Sequence, residues 1–169
     1  APESGEEEAD IHVDGLCAMG ARVVQEGGGA SALVAPDGLH GTDYTLRFPS
    51  VGATETLLTA ACAARGTTVL RGVAEEPEVV DLARFLRAAG ADIAGEGTSR
   101  ITVRGGRPLF GTEYTVCPDR IVAATVLCAA AGCGGEVIVD GCPAAQLEPL
   151  LTLLRRAGCS ATTLGPRTA

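Results

Sequence analysis

The sequence predicts an α/β fold assembled from repeated units. Three observations carry that prediction: an internal repeat, apolar helical runs alternating with short β-branched runs, and glycines at the joints. Aligning Pro49-Ser50 with Pro118-Asp119 also aligns Ala60-Ala61 with Ala129-Ala130, Gly66 with Gly135 and Gly72 with Gly141, all at one constant offset. After a slip by a single position, Ala89-Gly90-Ala91 meets Ala157-Gly158-Cys159, and Met19-Gly20-Ala21 is a third copy about one repeat before Gly90. The chain thus holds the end of one unit, a complete unit and the beginning of another.

Within the complete unit a first helix is predicted from Val51 to Ala64, stopping at Gly66. The β-branched run Thr67-Thr68-Val69-Leu70 then reads as a buried strand closed by Gly72. Pro77 suits a first helical position, and Glu75, Glu76 and Glu78 around it favour the positive end of the helix dipole. The helix that follows is expected to turn Val80, Phe85 and Leu86, with Leu82 and Ala89, toward the core and to end at Gly90. Three strands are expected next, Ala91–Ala94, Arg100–Arg104 and Thr112–Val116, as a closing meander. The apolar sheet face of such a unit must be covered, so layering of several copies is the expected architecture.

Composition narrows the function classes. All 13 basic residues among the 169 are Arg, and the net charge of −8 argues against non-specific binding of nucleic acid or an anionic membrane. No apolar run reaches the ~18 residues of a membrane span and the acidic N-terminus is unlike a signal peptide, so a cytoplasmic location is expected. The seven cysteines form no CxxC pair, which leaves neither a zinc pattern nor a disulfide framework. They read instead as small buried hydrophobes, and no metal or cofactor is expected.

The stretches "FPSVGATETLLTAA", "AEEPEVVDLARFLRAAGADI", "GTSRITVRG" and "CPDRIVAAT", in that order and spacing, resemble the UDP-N-acetylglucosamine branch of the enolpyruvyl transferase family from about Asp10 to Gly165. The resemblance implies the family's inside-out α/β barrel fold: six βαβαββ units in two lobes, with substrates in the cleft between them. Residues 1–8 would be an acidic disordered N-terminus, 9–116 the latter part of the loop-bearing lobe, and 117–169 the hinge and the beginning of the second lobe, an incomplete assembly. The implied reaction transfers the enolpyruvyl group of phosphoenolpyruvate to the 3-hydroxyl of UDP-N-acetylglucosamine and releases phosphate. That is the first committed step of peptidoglycan synthesis. The implied partners are those two substrates, with self-association through uncovered faces as a further expectation.

No catalytic residue is assigned. The family's loop cysteine and its arginine align with Pro2–Glu7, which carries neither, and its base Asp and its Lys-Asn pair align beyond the two ends of the chain. A non-catalytic nucleotide-sugar-binding remnant and an enolpyruvyl transferase of shikimate or secondary metabolism are the alternatives.

Sites for the UDP-sugar are expected at Phe48, Pro49, Ser50, Val51 and Gly52. A helix N-terminus has unpaired N–H groups and about half a positive charge, which together hold a phosphate without Lys or Arg. The residues alone favour an ordinary Ser N-cap on a core helix; the resemblance is what favours a diphosphate. Asp10 and Ile11, with His12, resemble the family's second UDP-sugar contact. Glu76 either lines the cleft or serves its own helix dipole. Asp119 and Arg120 either orient groups at the cleft or form an N-cap with a neighbouring ion pair. His12 and His40 read as surface or supporting residues, and Cys17 as packing.

Overall fold

The computed structural model describes residues 4–25 and 31–168, and the chain divides into two compact units, Ala1–Thr115 and Val116–Ala169. In the first unit α1 (Ser4–Ala18) leads into the antiparallel hairpin of β1 (Arg22–Gln25) and β2 (Ser31–Val34). There follow β3 (Asp43–Thr45), α2 (Val51–Ala63), β4 (Gly66–Arg71), α3 (Pro77–Ala88), β5 (Asp92–Ala94) and β6 (Arg100–Gly105). Those six elements form one βαβαββ unit. Its sheet has the order β3-β4-β6-β5, with β3 parallel to β4 and β6 antiparallel to both β4 and β5.

Period-two alternation decides which sheet face is dry. Thr68, Leu70, Ile93, Ile101 and Val103 are buried, in one core with Ala53, Leu57, Leu58 and Ala61 of α2 and Val79, Ala83 and Leu86 of α3. The opposite face carries Asp43, Arg71, Arg100 and Arg104 and is exposed. The apolar face expected to need neighbouring copies is therefore covered by the unit's own two helices.

In the second unit α4 (Arg120–Cys133) and α5 (Ala144–Arg156) pack around Ala123, Leu127, Cys142, Ala144, Leu147 and Leu151. The repeat is written into the backbone. The glycine after each matching helix has positive φ, 99° at Gly20, 112° at Gly90 and 97° at Gly158, a conformation that other residues avoid. The turn glycines Gly72 and Gly141 agree likewise, at 63° and 71°. Among the described residues no helix is long and apolar enough to cross a membrane, and no group of three or more His, Cys, Asp or Glu is placed to hold a metal ion.

The backbone is helical from Ser4, through the acidic stretch, and residues 1–3 lie outside the described residues. Three expectations are corrected. Thr112–Val116 forms no strand, because the segment crosses α3 instead: Phe110 N–H donates to Ala89 O (2.8 Å), the Tyr114 hydroxyl donates to Asp81 Oδ1 (2.8 Å), and Tyr114 meets Phe85 edge-on at 5.6 Å. Even with that contact Phe85 is 40% exposed, and Val80 is only half-buried, while Val79, Ala83 and Leu86 form the buried stripe of α3. The cysteines are also less buried than expected: Cys62 and Cys142 are in the cores, Cys17, Cys117 and Cys159 are intermediate, and Cys128 and Cys133 are exposed on α4.

Candidate functional site

The N-terminus of α2 is built by a relay of hydroxyls. Ser50 has extended backbone angles (φ −97°, ψ 125°) and its Oγ accepts from Ala53 N–H at 3.3 Å, while its carbonyl accepts from Thr54 N–H. Thr54 Oγ1 donates to Ser50 O at 2.7 Å and accepts from Ala74 N–H at 3.0 Å, which ties the helix start to the turn after β4. Ser50 is thus a buried N-cap. The N–H groups of Val51 and Gly52 are the first two of the helix and have no intrahelical acceptor. Phe48, Pro49 and Gly52 are exposed around them.

The two stretches singled out for the UDP-sugar, well separated in sequence, come together. Helix α1 packs along α2 because Gly15 sits against Leu57, where a Cβ would collide with the leucine side chain. His12 Nδ1 lies 2.9 Å from Thr56 Oγ1, and the other edge of its ring faces Gly52: a Cβ there would sit 3.5 Å from His12 Cε1 and 3.6 Å from Nε2. Arg47 pairs with Asp14 at 3.2 Å across the same junction. Asp10 is one turn from Asp14 on α1, within the helical backbone. Ile11 is fully buried in the core, so its side chain packs rather than reaching a ligand; its place in α1 puts it on the inner face, which the motif alone did not reveal.

Beside the α2 N-terminus is an open cavity of about 330 Å³ lined by Pro49, Gly72, Val73, Glu75, Glu76 and Ser99. Glu76 occupies the N-cap position of α3 without a side-chain cap bond. The Glu55 carboxyl is pushed up, first by burial and then by the charge of Glu78. This rim is acidic, carrying Glu75 and Glu76, and the nearby Arg47 is paired with Asp14. Sequence reasoning did not single out Ser99, Val73 or the His12–Thr56 bond, since nothing local marks residues that meet across 44 positions.

Asp119 and Arg120 lie in the second unit. Asp119 Oδ1 accepts from Ile121 N–H (2.7 Å) and Val122 N–H (3.2 Å), so this residue is the N-cap of α4, at the repeat position of Ser50. Arg120 is the first residue of α4 and is half-buried. His40 packs over Gly20, as a supporting residue would.

The profile of the EPSP synthase (3-phosphoshikimate 1-carboxyvinyltransferase) family matches residues 9–166. The UDP-N-acetylglucosamine 1-carboxyvinyltransferase of Acidiphilium cryptum is 48% identical over 94% of this chain and 38% of its own length. The proteins of similar name from Symbiobacterium thermophilum and Finegoldia magna are 47% and 43% identical, over 94% and 92% of this chain and 37% and 36% of theirs. The chain therefore spans under two fifths of the curated relatives it matches. Of solved structures, the enolpyruvyl transferase NikO from Streptomyces tendae superposes with a TM-score of 0.81 at 24% identity, over 95% of this chain and 41% of that one. An EPSP synthase from Acinetobacter baumannii superposes at 0.58 with 29% identity, over 78% and 30%.

Proposed function

The chain belongs to the EPSP synthase (3-phosphoshikimate 1-carboxyvinyltransferase) family, and we propose that it is part of a transferase that moves the enolpyruvyl group of phosphoenolpyruvate to the 3-hydroxyl of UDP-N-acetylglucosamine. The observation that carries the choice of acceptor is the 43–48% identity, over more than nine tenths of the chain, to proteins named for that acceptor. In this reading the sugar hydroxyl oxygen bonds the phosphate-bearing carbon of phosphoenolpyruvate and gives up its proton, as a proton reaches the terminal carbon. Loss of that proton and of inorganic phosphate then restores the double bond. The product feeds peptidoglycan synthesis, and a cytoplasmic location belongs to the same proposal.

Residues 48–52 seat the diphosphate. The Val51 and Gly52 N–H groups donate to its oxygens, His12 lies alongside, and Phe48 and Pro49 form the exposed shoulder. Asp10 contributes from α1. Glu76 lines the neighbouring cavity, and Asp119 and Arg120 act at the start of the second lobe. Each N–H bond to a charged oxygen contributes about 1.5–3 kcal/mol when water is displaced.

Calorimetric titration of the 169-residue chain with UDP-N-acetylglucosamine and, separately, with shikimate 3-phosphate tests the reading. UDP-N-acetylglucosamine is expected to bind, and Gly52→Ala to weaken it by about tenfold, or ~1.4 kcal/mol. The added methyl makes ordinary contact with His12 but stands where an oxygen would approach. Tighter binding of shikimate 3-phosphate, or a Gly52→Ala variant with unchanged affinity, would overturn it.

A further inference from the structure

A threonine inside a helix often turns its hydroxyl back to the carbonyl one turn earlier. Thr54 donates to Ser50 O at 2.7 Å, Thr59 to Glu55 O at 2.8 Å and Thr125 to Ile121 O at 2.8 Å. Thr56 of α2 does not. Among the described residues its hydroxyl meets His12 Nδ1 of α1 instead, at 2.9 Å.

That bond fixes which way the imidazole faces. Ile11 is buried in the core and Gly15 is seated against Leu57, so the part of α1 between them is held on α2 and the His12 backbone with it. A ring turned over about its last torsion would bring carbon to Thr56 in place of nitrogen and lose the bond. With Nδ1 on Thr56, the Cε1–Nε2 edge borders Gly52, whose added Cβ would stand 3.5 and 3.6 Å from those two atoms.

Counting protons then decides the tautomer. A neutral imidazole has one N–H and one bare nitrogen, whereas a hydroxyl always carries a proton to donate. If Nδ1 held the ring proton, the Thr56 hydroxyl would accept it and find no acceptor for its own among the described residues. If Thr56 donates, both groups are satisfied and the ring proton stands on Nε2.

We propose that Thr56 is a positioning residue for the diphosphate seat: its hydroxyl donates to His12 Nδ1 and holds the ring with Nε2–H as a donor toward a phosphate oxygen at Gly52. The inference rests on the seat proposed above for residues 48–52 and adds what aims His12 at it. The ring stays neutral and serves as a hydrogen-bond donor, in line with the unpaired N–H groups of Val51 and Gly52 beside it.

The test reads the proton directly. With its histidine nitrogens isotopically labelled, the 169-residue chain at about pH 8.5, where an ordinary imidazole is neutral, is expected to show long-range proton–nitrogen correlations of the Nε2–H form at His12 without any ligand. Thr56→Val keeps the shape but removes the donor. It is expected to leave His12 divided between the two tautomers and to weaken UDP-N-acetylglucosamine about fivefold, the worth of one hydrogen bond. Thr56→Ser keeps the hydroxyl and is expected to preserve both readings. His12→Gln carries an amide nitrogen where Nε2 stands and is expected to bind more tightly than His12→Asn, which reaches only as far as Nδ1. An Nδ1–H ring in the ligand-free chain, unchanged affinity in Thr56→Val, or equal affinities of His12→Gln and His12→Asn would each overturn the proposal. Failure of the unsubstituted chain to bind UDP-N-acetylglucosamine would overturn the seat, and the phosphate-directed role of His12 with it, while the ligand-free spectra decide the Thr56–His12 bond separately.

Discussion

Helices α2 and α4 occupy the same place in the repeat and are capped alike, yet they are buried differently. Ser50 and Asp119 both have extended backbone angles and both accept from N–H groups of the first helical turn. Leu58 and its counterpart Leu127 are each within a core, at 0% and 8% exposure. One helical face further round, Ala53 and Leu57 are fully buried whereas Val122 and Val126 are 61% and 42% exposed. In the first unit α1 covers that face, with Gly15 seated on Leu57 and His12 bonded to Thr56. Within the second unit no described element does the same. The face each helix turns to its own unit is thus set by the repeat, and the adjoining face by whichever neighbour arrives.

The largest test of that contrast is a pair of truncations. Leu57→Ala removes a side chain enclosed by α1 and the core and is expected to cost about 2–5 kcal/mol, read as urea sensitivity of first-unit amides. Val126→Ala at the matching position is expected to stay within about 0.5 kcal/mol. Comparable losses at the two sites would show that something covers α4 in solution.

Smaller, and opposite in sign, is the effect expected at Thr68. Its Oγ1 is buried without a hydrogen-bond partner among the described residues, and the repeat places Val137 at the same position. Thr68→Val removes an uncompensated desolvation cost, so the stability of the first unit is expected to rise by about 1 kcal/mol, seen as a higher unfolding midpoint with an unchanged denaturant slope. A lower midpoint would mean that the hydroxyl is bonded and that the two copies differ here for a structural reason.

What could be read from the sequence follows the same division. The start of α2 at Val51, Pro77 at the first position of α3, and strands β4, β5 and β6 were legible because caps, proline and β-branched runs act locally. The Ser50 cap beside the exposed Gly52 was legible for the same reason. The buried state of Ile11 was not, because it depends on which face of α1 meets α2. Nor was the fate of Thr112–Val116: its alternating residues suit a strand, and contacts distant in sequence, the Tyr114–Asp81 hydrogen bond across 33 positions and the Tyr114–Phe85 ring contact, draw the segment onto α3. Cys128 and Cys133 misled because an apolar run does not say which of its sides will be covered.

The finest comparison is between two carboxylates held low by different means. Asp43 in the first unit is kept below the usual carboxylate range chiefly by its two 2.8 Å hydrogen bonds from Arg71, with the charges of Arg71 and Arg100 adding to them. Asp140, at the repeat position of Arg71, is kept low by the Thr168 hydroxyl at 2.8 Å and by the Gly141 N–H. For both, the folded value lies below the unfolded one. Each therefore contributes stability above the ordinary carboxylate pKa near ~3.9, and that contribution is lost as pH falls through the folded value. Both groups are exposed, so the effect on folding is small and the titration itself is the sensitive readout. Carboxyl-carbon NMR titrations at low salt and at about 0.5 M salt are expected to move Asp43 upward more than Asp140, because salt screens an ion pair but leaves a bond from a neutral hydroxyl largely intact. Arg71→Ala is expected to return Asp43 to the ordinary range, and Thr168→Val to return Asp140 only part of the way, since the Gly141 N–H remains. An equal salt response at the two sites would mean that Arg167, rather than Thr168, holds Asp140, and the two units would then use one device instead of two.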